Sequence, residues 1–225
     1  MRALTVALIL LIPFSLYAAA RSNSGGLAER VAELEAQVEE LSAILQFVYV
    51  ETEEINSLAG PHVIIEGANV HVRSGSGGSS DACDFRDPDF PNCESLTGLG
   101  NLIIGYNEKH RFGGRPEPEE VRTGSHNLVV GKHHTYSSFG GFVAGKRNAV
   151  TANSASVCGG INGEASGSYS SVSGGSLNVA SGLGASASGG HLNEASGLGA
   201  SVSGGDNREA PDDHNWAAGG LFEPN

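Results

Sequence analysis

Apolar residues follow two different rhythms along this chain, and the change of rhythm divides it. From Leu27 to Ile55 the steps alternate between four and three: Leu27, Val31, Leu34, Val38, Leu41, Leu45, Val48, Thr52, Ile55. That spacing keeps one stripe facing a partner helix, so it predicts a coiled coil, with Val31, Val38, Leu45 and Thr52 at a and the others at d. Arg30 at g can meet Glu35 at e of the partner, which favours a parallel, in-register pairing. Val at a with Leu at d leans toward a dimer, whereas the Leu45/Val48 and Thr52/Ile55 layers do not. The heptads imply an oligomer without fixing its number. One amphipathic helix packed on its own domain is the alternative.

Further on, the chain repeats itself. Val157, Val172, Ala187 and Val202 each stand two residues before a Gly-Gly pair, at steps of 15, and Ala217 adds one more step. Ala165, Ala180, Ala195 and Ala210 follow these anchors eight residues later. Upstream the step is 14, through Val129 in "NLVVGK" and Val143 in "GFVAGK". Ile103 in "NLIIGY" reads as an earlier copy, separated from the next by an insertion at 106–122.

A unit this short cannot hold a helix pair, which needs about 33 residues or more. It suits one coil of a parallel β-solenoid, with two short strands and two tight turns. In "ASVSGG" alternation points Val inward and its Ser neighbours outward. Gly-Gly then turns the chain, because Gly takes positive φ without steric cost. The second strand, "LNVASG" at 177–182, brings Ala180 inward, and Leu177, Leu192 and Ile161 are expected to add to the core. A disordered Gly/Ser linker is the competing reading for a chain with 33 Gly in 225 residues, but a linker has no reason to keep Val and Ala in register. The inward strip is narrow, so the roll is expected to bury a second face against copies of itself.

Strands of the type "NLVVG", "ASVSGG" and "N-x-A-S-G" at 14 to 15-residue spacing resemble the YadA-like heads of trimeric autotransporter adhesins. The resemblance covers roughly residues 99 to 222. It implies a left-handed parallel β-roll, three of which pack around a threefold axis, and a trimeric coiled coil. In that family the head precedes its stalk and a β-barrel anchor ends the chain. Here the heptads come first, and "NWAAGGLFEPN" ends the sequence without a barrel pattern.

The expected fold is therefore mainly β: a β-roll of 14–15-residue coils preceded by a coiled-coil helix, assembled as a homotrimer. The expected organisation is a signal peptide at 1–20, a stalk at 27–58, neck strands and a disulfide loop at 60–98, and a head at 99–222.

Charge and cysteines place the chain. Arg2 precedes the apolar run "ALTVALILLIPFSLYAAA", and Ala18-x-Ala20 forms an A-x-A cleavage site. An uncleaved anchor is the alternative; with cleavage, no membrane span is expected in the mature chain. Loss of Arg2 leaves 12 Lys and Arg against 25 Asp and Glu, net −13. Such a balance argues against nucleic acid and anionic membranes as partners. The expected partners are the chain itself and a host, matrix or cell-surface glycan or protein. The expected location is extracellular or cell-surface, with the periplasm also open. Cys83 and Cys93 bracket the acidic, Pro-rich "DFRDPDFPN", where a disulfide would restrain a loop with no strand or helix pattern. Cys158 takes the place of Ser173, Ser188 and Ser203 in later coils and is expected to stay a free thiol.

Chemistry is sparse. Glu164, Glu194 and Glu209 recur at one place in the coil, which reads as a solvated position rather than the carboxylate pair of a tailspike-like glycosidase. No metal, cofactor or catalytic group is expected. Ser171/Ser173, Ser186/Ser188 and Ser201/Ser203 would form two hydroxyl rows, so a surface binder of glycan or ice is an alternative. The varied side chains sit in the insertion and the disulfide loop: Tyr106, Arg111, Phe112, Arg115, Phe85 and Phe90. Aromatic and Arg side chains on loops held by a rigid scaffold make a candidate binding surface. The alternative is loops that merely tolerate insertion. Peptide mapping without reductant should recover residues 83 and 93 in one linked product, with Cys158 reduced; a bond from Cys158 to either would overturn that pairing.

Overall fold

The computed structural model describes residues 26–81, 96–109 and 120–219; the expected signal peptide and the Cys83–Cys93 loop lie outside the described residues. The chain divides into two compact units, one ending at Val70 and one beginning at His71.

In the first unit, helix α1 spans Leu27–Leu45. Leu, Ala and Glu dominate it, all good helix formers, and Glu29 in the first turn complements the positive end of the helix dipole. None of its residues is buried: Leu27 is 81% exposed and Val38 61%. The helix is shorter than the heptads predict. Phe47, Val48, Tyr49 and Val50 are aromatic or β-branched, lose rotamer freedom in a helix, and fit a pleated strand instead. Val48 accordingly opens β1 (Val48–Glu51), which pairs antiparallel with β2 (His62–Ile65) from Val48↔Ile65 to Glu51↔His62. Ile55 bridges Leu58 across a tight turn in which Asn56 and Ser57 take positive φ. Val48 and Ile55 are thus hairpin residues, and the helical stripe ends at Leu45.

The second unit is a parallel β-solenoid. One sheet holds eight strands: β3 (Leu102–Ile104), β4 (Leu128–Lys132), β6 (Phe142–Lys146), β8 (Ser156–Val157), β10 (Ser171–Val172), β12 (Ser186–Ala187), β14 (Ser201–Val202) and β16 (Trp216–Ala217). The other holds six: β5 (Thr135–Tyr136), β7 (Ala149–Val150), β9 (Glu164–Ala165), β11 (Val179–Ala180), β13 (Glu194–Ala195) and β15 (Glu209–Ala210). The anchors stack in register from Ile103 through Val129, Val143, Val157, Val172, Ala187 and Val202 to Ala217. Both the 14-residue steps and the copy before the insertion keep that register.

The core is a column of the anchors from Val129 to Val202 and of Ala165, Ala180, Ala195 and Ala210, all buried, with Ala155, Ala185 and Ala200 forming a third row. Ala217 packs partly buried at one end, and Ile103 at the other is 44% exposed. Leu177 and Leu192 do not join it. They are 40% and 44% exposed and take φ of 58° and 53°, because they sit on the corner between the two sheets, where the chain must turn left-handed. Ile161 is half-buried just before that corner, bridged in parallel to Lys146 and Ser176. Each corner residue bonds back to the preceding coil: Leu177 N–H donates to Ile161 O at 3.0 Å and Leu192 N–H to Ser176 O at 3.1 Å.

Glycine is required where coils touch, and the two members of a Gly-Gly pair differ. Gly175 has φ of 80°, and a Cβ there would lie 2.2 Å from Gly190 O of the next coil; beside Gly174 nothing lies within 4 Å. At the opposite corner Gly182 would bring a Cβ to 1.9 Å from Gly197 O. In the last described coil Asp212 holds the equivalent place. Gly182→Ala should therefore destabilise the solenoid by more than about 2 kcal/mol. Gly174→Ala should be neutral or stabilise by up to about 1 kcal/mol, by restricting the unfolded chain. Equal melting temperatures for the two variants would refute the close-approach argument.

Candidate functional site

After each corner residue the chain turns inward, and that place holds His134, Asn148, Gly163, Asn178, Asn193 and Arg208 in successive coils. Asn148, Asn178 and Asn193 are buried. Asn178 Nδ2 donates to Gly174 O at 2.7 Å and to Gly190 O of the next coil at 3.1 Å, while Asn178 Oδ1 accepts Asn193 N–H at 3.0 Å. Asn193 repeats this with Gly189 O, Gly205 O and Arg208 N–H. Each amide therefore ties its own corner to the following coil, leaving no donor or acceptor orphaned. Sequence reasoning missed this spine. Its signal was present: Asn178 stands two residues before the inward Ala180, so strand alternation points both inward.

His134 is the spine residue beneath the insertion. Its Nε2 lies 3.1 Å from Val130 O, and its Nδ1 accepts Asn148 N–H at 3.2 Å. A carbonyl on one side and an amide on the other fix the neutral tautomer with its proton on Nε2. Burial pushes the His134 pKa below its ordinary value, and the Arg122 guanidinium adds to the shift.

The two ends of the insertion are fastened to the same coil. Asn107 is buried, and its Oδ1 accepts His134 N–H at 2.9 Å. Arg122 donates from Nε to His134 O at 3.2 Å and from Nη2 to Glu108 O at 3.3 Å, and it pairs with Glu120. His133 Nδ1 lies 2.7 Å from Glu108 O. Tyr106, the first residue of the insertion, is 95% exposed. Arg111, Phe112, Arg115, Phe85 and Phe90 lie outside the described residues.

A second polar cluster closes the first coil. The Asp81 side chain is fully buried, accepting Ser74 and Ser76 hydroxyls, each at 2.6 Å, and Thr97 N–H and Oγ1–H at 2.8 and 2.9 Å. Burial pushes its carboxyl up, but hydrogen bonds from Ser125, Ser74, Ser76 and Thr97 outweigh this and hold it well below the usual carboxylate range. His126 Nδ1 lies 3.8 Å from Asp81, while His126 Nε2 accepts Ser74 N–H at 3.2 Å. Although Ser, His and Asp meet here, an Nε2 already taken by a backbone amide cannot deprotonate a hydroxyl. The cluster works as a cap, stapling residues 74–81 to Thr97, Ser125 and His126.

On the outer face of the eight-stranded sheet Ser171, Ser186 and Ser201 stack in register, with Ser173, Ser188 and Ser203 exposed beside them. Cys158 lies in the second row as an exposed free thiol. Among the described residues no three His, Cys, Asp or Glu converge as metal ligands would, and no helix is long and apolar enough to cross a membrane.

No family model, curated protein or solved structure matches the chain.

The neutral His134 links the spine to pH. Its folded-state pKa lies below the unfolded value of 6.5, so the unfolded chain takes the proton first. Its stabilising contribution is complete above that value and is lost as pH falls below it. Melting temperatures between about pH 7.5 and 5 should fall in the wild type and flatten in His134→Asn, which installs the residue that later coils carry at this place. Parallel profiles for the two proteins would show that His134 is not responsible.

Proposed function

We propose that this chain is an exported, non-catalytic, homotrimeric surface or extracellular protein, holding a rigid β-roll on a coiled-coil stem in the manner of an adhesin head. The observation that carries the proposal is helix α1. Its heptad residues Leu27, Val31, Leu34 and Val38 are exposed, and none of the described residues of its own unit covers them. A stripe of that kind is stable in water only against copies of itself or a partner helix. The hairpin supports the same reading, since an isolated two-stranded sheet is marginal and Val48, Tyr49, Val50, Val63 and Ile65 are all exposed.

The number three rests on the resemblance of the repeat to trimeric autotransporter heads. Leu177, Leu183, Leu192 and Leu198, each at least 40% exposed, supply apolar surface that neighbouring rolls would cover. Signal-directed export places the protein outside the cell or at its surface. A second reading, a hydroxyl-row binder of glycan or ice, is favoured by the in-register Ser171, Ser186 and Ser201. A tailspike-like glycosidase is disfavoured. Glu194 and Glu209 stack one coil apart on an exposed face with no cleft between them.

Mass measurement in solution on the chain from residue 21 should give three times the chain mass. Leu34→Asp combined with Val38→Asp should release monomers whose Asn-spined coils remain folded. A stable wild-type monomer would overturn both the stem and the packing of the rolls.

A further inference from the structure

The chain carries a net charge of −12, yet between Val121 and Gly163 it contains four Lys and Arg and no Asp or Glu. The first full coils of the solenoid are therefore a basic island in an acidic protein. Its exposed edge is the corner ladder. Lys132 and Lys146 are exposed, occupy equivalent places in adjacent coils and are direct parallel partners. Arg147 follows on the corner itself, with φ of 58° and its N–H donated to Lys132 O at 3.0 Å. One coil earlier, Tyr106 stands two residues beyond Ile104, as Lys132 stands two beyond Ile104's partner Val130. By that count Tyr106 stands level with the paired Lys132 and Lys146, just beyond the last paired rung of its own coil at Ile104, and from Lys146 the rungs run on through Ile161, Ser176, His191 and Asp206.

Like charges paired across a ladder repel, and among the described residues no carboxylate lies within ion-pair distance of either lysine. Of the acids nearby, Glu120 pairs with Arg122 and lies 4.0 Å from His133, while Glu108 holds Arg122 and His133 through its backbone carbonyl. A repulsive pair retained on an exposed ridge is relieved by a bound anion. Neighbouring rungs lie about 4.8 Å apart, so the ridge presents two cations and one aromatic face along a short line. Single-stranded nucleic acid calls for successive aromatic platforms, and this ridge has one.

We propose that the Tyr106–Lys132–Lys146 ridge binds an anionic glycan, with the lysines on its sulfate or carboxylate groups and the Tyr106 ring against a sugar face. The assignment deepens the surface-attachment reading above, and rests on it only for the setting in which such a glycan is met.

The test uses the full chain from residue 21, with heparin as the sulfated probe, polygalacturonate as the carboxylated one and oligo-dT as the nucleic-acid control, all at about 0.15 M salt. The expected result is binding to at least one glycan, weakened roughly tenfold or more in Lys132→Ser/Lys146→Ser, which copies the Ser176 rung of the same ladder. Tyr106→Ser should weaken binding with little change in its salt dependence, and Lys132→Arg/Lys146→Arg should retain it. Which glycan binds identifies the anion. No binding to either glycan, affinity unchanged by the double Ser variant, or oligo-dT bound as tightly as glycan would each overturn the proposal. Solution mass measured on the same samples separates the two readings: a monomer that still loses glycan with the Ser pair would remove the trimer and leave this site standing.

Discussion

Backbone contact between coils sets the terms for the second unit of this protein. Parallel coils about 4.8 Å apart leave no room for a side chain wherever a corner faces the carbonyl above it. Gly175, Gly182 and Gly190 all meet such a carbonyl at distances a Cβ could not tolerate. Once a corner is fixed in this way, everything else in the coil is counted from it. The anchor lies inward because it stands a set number of residues before the turn. The corner side chain points out, and the next residue points in again. The period is thus a steric property of the backbone, and the narrow column of Val and Ala is what fits inside it.

That constraint also explains why a buried Asn spine is tolerated. At the corners Gly174 O and Gly189 O accept no backbone N–H from the described residues, and a buried unpaired carbonyl is costly. Asn is the right length to reach its own corner and the next coil together, as Asn178 and Asn193 do. His134 serves in place of an amide, but at the edge of its charge range. The cap around Asp81 solves the related problem at the first coil, where no preceding coil supplies donors. There a single carboxylate gathers the hydroxyls of Ser74, Ser76, Thr97 and Ser125 and the Thr97 amide.

The repeat was legible because steric necessity wrote it into the sequence at fixed intervals. Every anchor from Ile103 to Ala217 falls in the expected ladder, including the copy across the insertion. Two expectations failed for one reason, that hydrophobic pattern was read without the backbone conformation beneath it. Leu177 and Leu192 looked like core because they are apolar, yet a corner needs a left-handed residue and turns that residue outward. Val48 and Ile55 continued the heptad count, yet the run from Phe47 to Val50 prefers a strand. The Asn spine went unread because polar residues in strands were assigned to solvent. The ridge was half visible: "IIGY", "VVGK" and "VAGK" align in the sequence, but only stacked coils place Lys132 and Lys146 on adjacent rungs, with Tyr106 level with them by count.

A scaffold this uniform confines individuality to the places where identity does not matter to the fold. Anchors, spine and contact glycines are nearly interchangeable between coils, so they cannot distinguish one ligand from another. The bridge ladder before the corner is different: it takes Lys146, Ile161, Ser176, His191 and Asp206 in turn with the backbone unchanged. Variation there costs the solenoid little, since these side chains meet solvent or a neighbour rather than the core. The ladder passes from basic at one end to acidic at the other, with the insertion rooted beside the basic end through Asn107, Arg122 and His133. Along the ladder only these rungs can carry individuality, and those that differ most from the rest of this acidic chain are the two lysines.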